Sequence, residues 1–300
     1  MLSAFYAKGD NMGDKDITEK QLEDYDDVFA DIINVLLFDG KRVVDENDLE
    51  DVMAKTQFKD DGGKIHEQER DNAKLCRKQK VSFALFGLEN QTRIDVKAPL
   101  RVISYDGASY KSQLLREEVN YPVITLVLYF GEEHWTKPTR LSDCVSVPTE
   151  LESYFNDYKI NVFEIAFLSK ETIDKFTSDF KCVAEFFSEK RKDKNYVPDS
   201  KDTIRHIDEV LKLLSAVTGD NSYELVNENS ERKVTNMCEV AERLKNSGRA
   251  EGRVEGEAKG RVEGKVEVYL EIGLNTSDIA DKLNLTTDEV QEIIDREHLA

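Results

Sequence analysis

The sequence predicts an α/β fold, a central sheet flanked by helices, with a helical appendage at the C-terminus. Three observations carry this reading. Residues 81–91, VSFALFGLENQ, are apolar on both alternating faces: Val81, Phe83 and Leu85 on one, Ala84, Phe86 and Leu88 on the other. That is the pattern of a strand covered on both sides in a mostly parallel sheet. Residues 122–130, PVITLVLYF, form a second such run. Between them, residues 99–118 carry Leu100, Ile103, Tyr110 and Leu114 at helical spacing behind Pro99, a residue suited to a first helical turn. Strand, helix and strand in this order make a βαβ unit, which is right-handed in nearly all cases.

Taken in order, residues 1–20 are expected to be a disordered lead-in. Residues 24–38 show a wide apolar helical face, with Val28, Ile32, Val35 and Leu36 on one row and Phe29, Ile33 and Leu37 on another. Asp27 and Asp31 share a stripe. The first complements the helix dipole, whereas Asp31 lies beyond the first turn. Asp39-Gly40 ends this helix. Residues 41–44 suit a short strand, 45–53 an acidic loop with a helical turn, and 59–64 (KDDGGK) a turn. Residues 66–80, with Asp71 in the middle, lack β-branched residues and read as helix or irregular chain.

Residues 132–148 read as a long loop, 161–168 as a third strand, and 171–193 and 203–218 as helices able to cover a sheet face. Residues 220–231 are loop-like. Glycine then recurs every fourth residue from Gly248 to Gly264, with Glu, Arg and Lys between. Each interior glycine costs about 1 kcal/mol of helix stability relative to alanine. The stretch is expected to be a solvated helix or linker, ahead of a partner-binding helix. A spacing of four also drifts around a 3.6-residue helix. Residues 265–300 outline a helix-turn-helix, with Thr276 or Ser277 as one cap and a Thr286/Glu289 capping box. The last helix is acidic, so protein contact or capping stands ahead of DNA reading there.

The formal net charge of −19 disfavours a broad electrostatic hold on nucleic acid and leaves room for a local basic groove or bridging metal ions. Four scattered cysteines and four scattered histidines argue against zinc sites and disulfide frameworks. Scattered cysteines suit a reducing cytosol, the first residues are too polar for a signal peptide, and no apolar run reaches membrane-spanning length. A cytoplasmic protein without membrane contact is expected.

The chemistry concentrates where the apolar run of residues 81–91 ends. Strand parity sends Glu89 and Gln91 to one side, with Arg93 next. A carboxylate delivered by a buried strand needs compensation. A bound metal supplies it, and so does an ordinary exit of the strand into solvent. Arg101 and Tyr105, four apart, share a helix face.

At GLENQ, APLRVISYDGASYKSQLL and YPVITLVLYFG the chain resembles the PD-(D/E)XK nuclease-family putative transposases, the Rpn or YhgA-like recombination-promoting nucleases. The similarity runs over roughly residues 24–218, through FADIINVLLFDG, DYKINVFEIAFLS and IRHIDEVLKLL. The resemblance implies a restriction-endonuclease-like core over residues 21–220, then a connecting segment (221–247), the glycine repeat (248–268) and the small helical tail (269–300). It implies DNA as partner and cleavage dependent on Mg²⁺, with Mn²⁺ as a substitute. Asp71 matches the first motif acid and Glu89 the second. The backbone carbonyl of Asn90 would complete the metal site, with Asp31 as an outer ligand. Gln91 stands where the general motif has lysine, as is usual in this subfamily. It orients a water or phosphate oxygen without bringing charge, so Arg93, Lys97 or Arg101 would supply the charge, with Tyr105 beside them on phosphate. The alternative is a catalytically weak or silent relative that acts by protein contact or oligomerisation through its C-terminal helices.

Overall fold

The computed structural model describes residues 22–52, 55–59, 65–69, 72–78, 81–114, 119–227 and 232–297. The expected lead-in at 1–20 and Asp71 lie outside the described residues. The chain divides into two compact units with the boundary between Glu239 and Val240.

The first unit is built on a five-stranded mixed sheet. Its strands are β1 (Leu49–Asp51), β4 (Asn72–Lys78), β5 (Val81–Gln91), β6 (Val123–Tyr129) and β7 (Asn161–Glu164), side by side in that order. Two further strands, β2 (Lys55–Lys59) and β3 (Ile65–Glu69), pair antiparallel as a separate ribbon. β5, β6 and β7 are parallel, and helix α2 (Ala98–Gln113) joins the first two as the expected βαβ unit. β4 runs antiparallel to both β1 and β5, so the sheet is mixed, as a restriction-endonuclease-like core implies. Only residues 79–80 separate β4 from β5, and antiparallel neighbours need no more than such a short link.

The largest departure from the sequence expectation is at residues 66–80, which hold β3 and β4 instead of a helix. Leu75 and Cys76 are buried in the sheet. Lys74 beside them hides the strand pattern, because it is a charged residue only 2 % exposed. Its ammonium donates to the Asp24 carbonyl at 2.7 Å and meets Asp26 at 2.8 Å and Asp51 at 2.6 Å. Burial alone would lower its pKa, but the bonds to the two carboxylates outweigh burial and raise it. Tertiary pairing thus overrides a weak local preference. The covered length of β5 is also shorter than its apolar run: Val81 and Phe83 are 64 % and 39 % exposed, and continuous burial begins at Ala84.

Two layers cover the sheet. Helix α1 (Asp26–Phe38) lies on the face that carries Lys74 and Asn90, since Lys74 sits 5.8 Å from the Phe29 ring. Helix α4 (Phe180–Lys192) joins it there, with Phe130 packed 5.0 Å from Phe187. Helix α2 takes the other face, where Ala98 and Val102 pack with Val127, Tyr129, Trp135 and Ile160. The expected strand at 41–44 is not one. The Asn34 side chain accepts from the Val43 and Val44 amides and donates to the Val44 carbonyl, each at 2.8 Å, and so fixes this segment as an irregular exit. The expected helix at 171–193 is two, α3 (Lys170–Ile173) and α4. Helices α5 (Ile207–Thr218) and α6 (Ser222–Leu225) complete the unit.

The β6–β7 connection is ordered by Asp143. Its carboxylate accepts from the Thr139 amide at 2.8 Å and the Arg140 amide at 3.1 Å and meets Lys137 at 3.1 Å. The Thr139 amide and then Lys137 hold its pKa down at about 2. A depressed acid pKa stabilises the folded state above the ordinary carboxylate value, and that contribution is lost as pH falls through the folded one. Carboxyl-carbon NMR should therefore find Asp143 still ionised at pH 3, and Asp143→Asn should weaken the acid dependence of melting between pH 4 and pH 2.

The second unit contains most of α7 (Met237–Glu271), then α8 (Thr276–Leu283) and α9 (Thr287–Glu297). Val266, Ile279, Ala280, Val290 and Ile294 form its core. The glycine repeat is continuous helix. Asn275 caps α8, its side chain accepting from the Asp278 amide at 3.0 Å, in place of Thr276 or Ser277. The Thr286/Glu289 box is present in both directions, at 2.8 and 3.2 Å. Among the described residues no helix is long and apolar enough to cross a membrane.

Candidate functional site

The parallel strands end together at one edge of the sheet, and Glu89 and Gln91 stand at the end of β5. Register pairs Glu89 with Val127 and Gln91 with Tyr129 on β6, and Tyr129 with Glu164 on β7. The carboxyl ends of parallel strands are the usual ligand side of such sheets. Glu89 is only 4 % exposed. Its alternation with Asn90 is as the sequence predicts. Glu89 and Gln91 face α2, whereas the Asn90 amide turns to the other face and donates to Glu23 at 2.9 Å.

A cation stands beside Glu89. Arg101, on the first turn of α2, brings its Nε to 3.0 Å from Glu89 Oε1 and its Nη2 to 2.9 Å from Asp95 Oδ2. Neither guanidinium nitrogen is aligned as a hydrogen bond, so charge and not directed bonding holds the group. Gln91 Nε2 reaches the same Glu89 oxygen at 3.3 Å. Pro99 lies in the first turn of α2, where its fixed φ suits the helix start, two residues before Arg101. Asp95 braces the approach, because its other oxygen accepts from the Lys97 amide at 2.8 Å.

Of the residues singled out by sequence, the structure brings together Glu89, Gln91 and Arg101. Arg93 and Lys97 are exposed near this strand end, and Tyr105 is buried one turn beyond Arg101. Asp71 lies outside the described residues. Its neighbour Asn72 pairs directly with Leu88, the neighbour of Glu89. Asp31 is elsewhere. It belongs to α1, on the opposite face, and its carboxylate accepts from the Thr177 amide at 2.8 Å, the Thr177 hydroxyl at 3.0 Å and the Ser178 amide at 2.8 Å. It caps the approach to α4 and is not gathered with Glu89.

Sequence reasoning passed over Asp95, Asp106 and Gly131. Asp106 is buried on α2, accepts from Thr125 at 2.6 Å and bonds the Tyr158 hydroxyl. Its signal was an acid four residues after Val102, on the buried row of the helix. Gly131 follows β6, and a Cβ there would collide with the Tyr129 hydroxyl, so only glycine leaves that oxygen its place. A cavity of about 620 Å³ is lined by Ser142, Asp143, Cys144, Glu152, Phe155 and Asp157, away from these strand-end residues in sequence. Its acids serve the loop: Asp143 as above, Asp157 through the Ser142 amide at 2.9 Å. Burial pushes the Cys144 thiol up, against nucleophilic use.

For a divalent cation, this strand end offers the Glu89 carboxylate as a donor of the right hard-oxygen chemistry, while the nearby Asp95 carboxylate is held by Arg101 and the Lys97 amide. No group of three or more His, Cys, Asp or Glu is gathered for a metal among the described residues. The donor set therefore fits a hard cation only with a second acid from outside them.

Residues 74–218 match the sequence profile of the family described as "Putative transposase, YhgA-like". No curated protein and no solved structure matches.

Proposed function

We propose, from the match of residues 74–218 to the YhgA-like putative transposases, a transposase-related role in which the chain is a metal-dependent DNA endonuclease with a restriction-endonuclease-like core. The observation that carries this is Glu89, a carboxylate kept 4 % exposed at the ligand end of parallel strands with Gln91 and Arg101 on it. A buried acid with a specific charge partner at a strand end is a candidate working group. The order of the sheet, two antiparallel strands followed by parallel ones across a helix, supports the core assignment.

In this reading Glu89 and Asp71 hold Mg²⁺, or Mn²⁺ in its place, with the Asn90 carbonyl as a further oxygen. The direct pairing of Asn72 with Leu88 supports the joint use of the two acids. Bound there, the cation would neutralise scissile phosphate charge and make a water more acidic. Gln91 orients a water or phosphate oxygen by its amide. Arg101 supplies the positive charge that the general motif takes from lysine, and the exposed Arg93 and Lys97 extend it toward the DNA backbone. Asp31, committed to Thr177 and Ser178, has no part in the site.

Two measurements test the proposal. Purified protein should nick supercoiled plasmid with Mg²⁺ or Mn²⁺ and stop with a chelator, and calorimetry should find a divalent cation bound without DNA. No cleavage with either metal would instead favour the second reading, a silent relative working through protein contact. One observation speaks for that reading: the Glu89 charge is already matched by Arg101. Arg101→Ala separates the two. It should tighten metal binding by removing a competing cation, and slow cleavage about 10-fold or more by removing charge from the phosphate. An unchanged metal affinity would count against a shared position.

A further inference from the structure

Helix α7 carries a regular charge pattern that its own unit uses only in part: Arg253 pairs with Glu257 along the helix at 3.3 Å, and Ser247 donates to Glu251 at 3.1 Å. From Gly248 the chain repeats glycine, a charged residue, Ala or Val, and a second charged residue. Ala250, Val254 and Ala258 are exposed, Val254 at 59 %, and Val262 is half-buried. On a helix the residues just before and after each apolar position lie about 100° to either side of it. One flank of the stripe is therefore Arg249, Arg253, Glu257 and Arg261. The other is Glu251, Glu255, Lys259 and Glu263. The first is basic except at Glu257 and the second acidic except at Lys259, and both exceptions fall in the same repeat. The glycines take the opposite side, where an added Cβ on Gly248, Gly252, Gly256 or Gly260 would meet nothing within 4 Å.

This pattern is complementary to itself in one arrangement. Two helices laid parallel along the stripe bring opposite flanks together, whereas antiparallel helices set basic flank on basic flank. Parallel and in register, Arg253 lies between Glu251 of the partner subunit and Glu255 of the partner subunit, and Glu257 lies between Glu255 of the partner subunit and Lys259 of the partner subunit, one repulsion set against one attraction. Sliding one copy by a single repeat leaves one Glu257 between two glutamates. The exchange of sign in that one repeat thus works as a register mark, as charged flanks do in paired helices generally. We infer that α7 is a self-recognition surface on which two copies of this chain pair, parallel and in register, along Ala250, Val254, Ala258 and Val262. A four-residue spacing drifts around the helix, so the pair crosses right-handed and the contact is short. Glu263 also pairs with Arg296 of its own chain, which anchors that end of the flank. The inference stands independently of the nuclease reading.

Sedimentation velocity on the full chain tests it. The wild type should dimerise with rising concentration, and more weakly as salt is raised. Glu251→Lys with Glu255→Lys makes both flanks basic at one end, and Arg249→Glu with Arg253→Glu makes both acidic. Each double variant alone should associate at least 10-fold more weakly, and an equimolar mixture should recover dimers. Val254→Lys, which buries a charge on the stripe without changing the flanks, should also be monomeric, with circular dichroism verifying an intact helix. A wild type that stays monomeric at several hundred micromolar, variants that dimerise unchanged, or a mixture that fails to associate would each overturn the inference.

Discussion

Glu89→Ala should abolish metal-dependent nicking while leaving the protein folded. A residue that only supports a metal ligand typically costs 10–100-fold when removed, so loss of a ligand should exceed about 10²-fold in rate. The fold should survive, because Arg101 keeps Asp95 at 2.9 Å as a partner when Glu89 is gone. The variant should melt at least as high as wild type, since a carboxylate kept at 4 % exposure is costly to bury. Glu89→Gln preserves the shape and removes the charge, and should lose cleavage and metal binding equally. Plasmid nicking, calorimetric metal titration and a melting curve on the same three proteins read this out. Equal cleavage by wild type and Glu89→Ala would remove the proposed site. Loss of cleavage together with a collapsed melting curve would make Glu89 structural.

The strand that delivers Glu89 was legible because its pattern is local. Two apolar faces and a change to polar residues locate the end of β5, and alternation puts Glu89 and Gln91 on one side. The βαβ unit and the Thr286/Glu289 box were legible for the same reason, since each is written in a few adjacent residues. β4 was not, because its burial rests on partners distant in sequence. Lys74 looks like a surface residue until Asp24, Asp26 and Asp51 are placed around it. The same limit applied to Arg101. Its helical spacing with Tyr105 gave a face, but only the packing of α2 on β6, through Ala98 and Val102 against Val127 and Tyr129, sets it on Glu89 and not at the surface. The exposed start of β5 shows the converse: apolar sequence alone does not say how far the covering layers extend, and Val81 and Phe83 project past them.

Asp31→Ala should be among the most destabilising single substitutions in the first unit, and it should act on stability alone. The carboxylate is 8 % exposed and accepts three bonds across 146 residues of chain, from the Thr177 amide and hydroxyl and the Ser178 amide. Together they hold the segment between α3 and α4, and so decide where Phe180 and Phe187 meet Phe130 on the sheet. Hydrogen bonds to a charged group contribute roughly 1.5–3 kcal/mol each, and they are not additive around one carboxylate. Alanine leaves two amides and a hydroxyl without their acceptor, so a loss of about 2–4 kcal/mol is expected from urea midpoints. Asp31→Asn retains one acceptor oxygen and should cost about half as much. At a temperature where the variants remain folded, their metal affinity and nicking rate should equal those of wild type, because the bonds of Asp31 lie on the α1 face of the sheet and those of Glu89 on the α2 face. A variant that keeps its stability and loses metal binding would reverse the assignment and return Asp31 to the metal site.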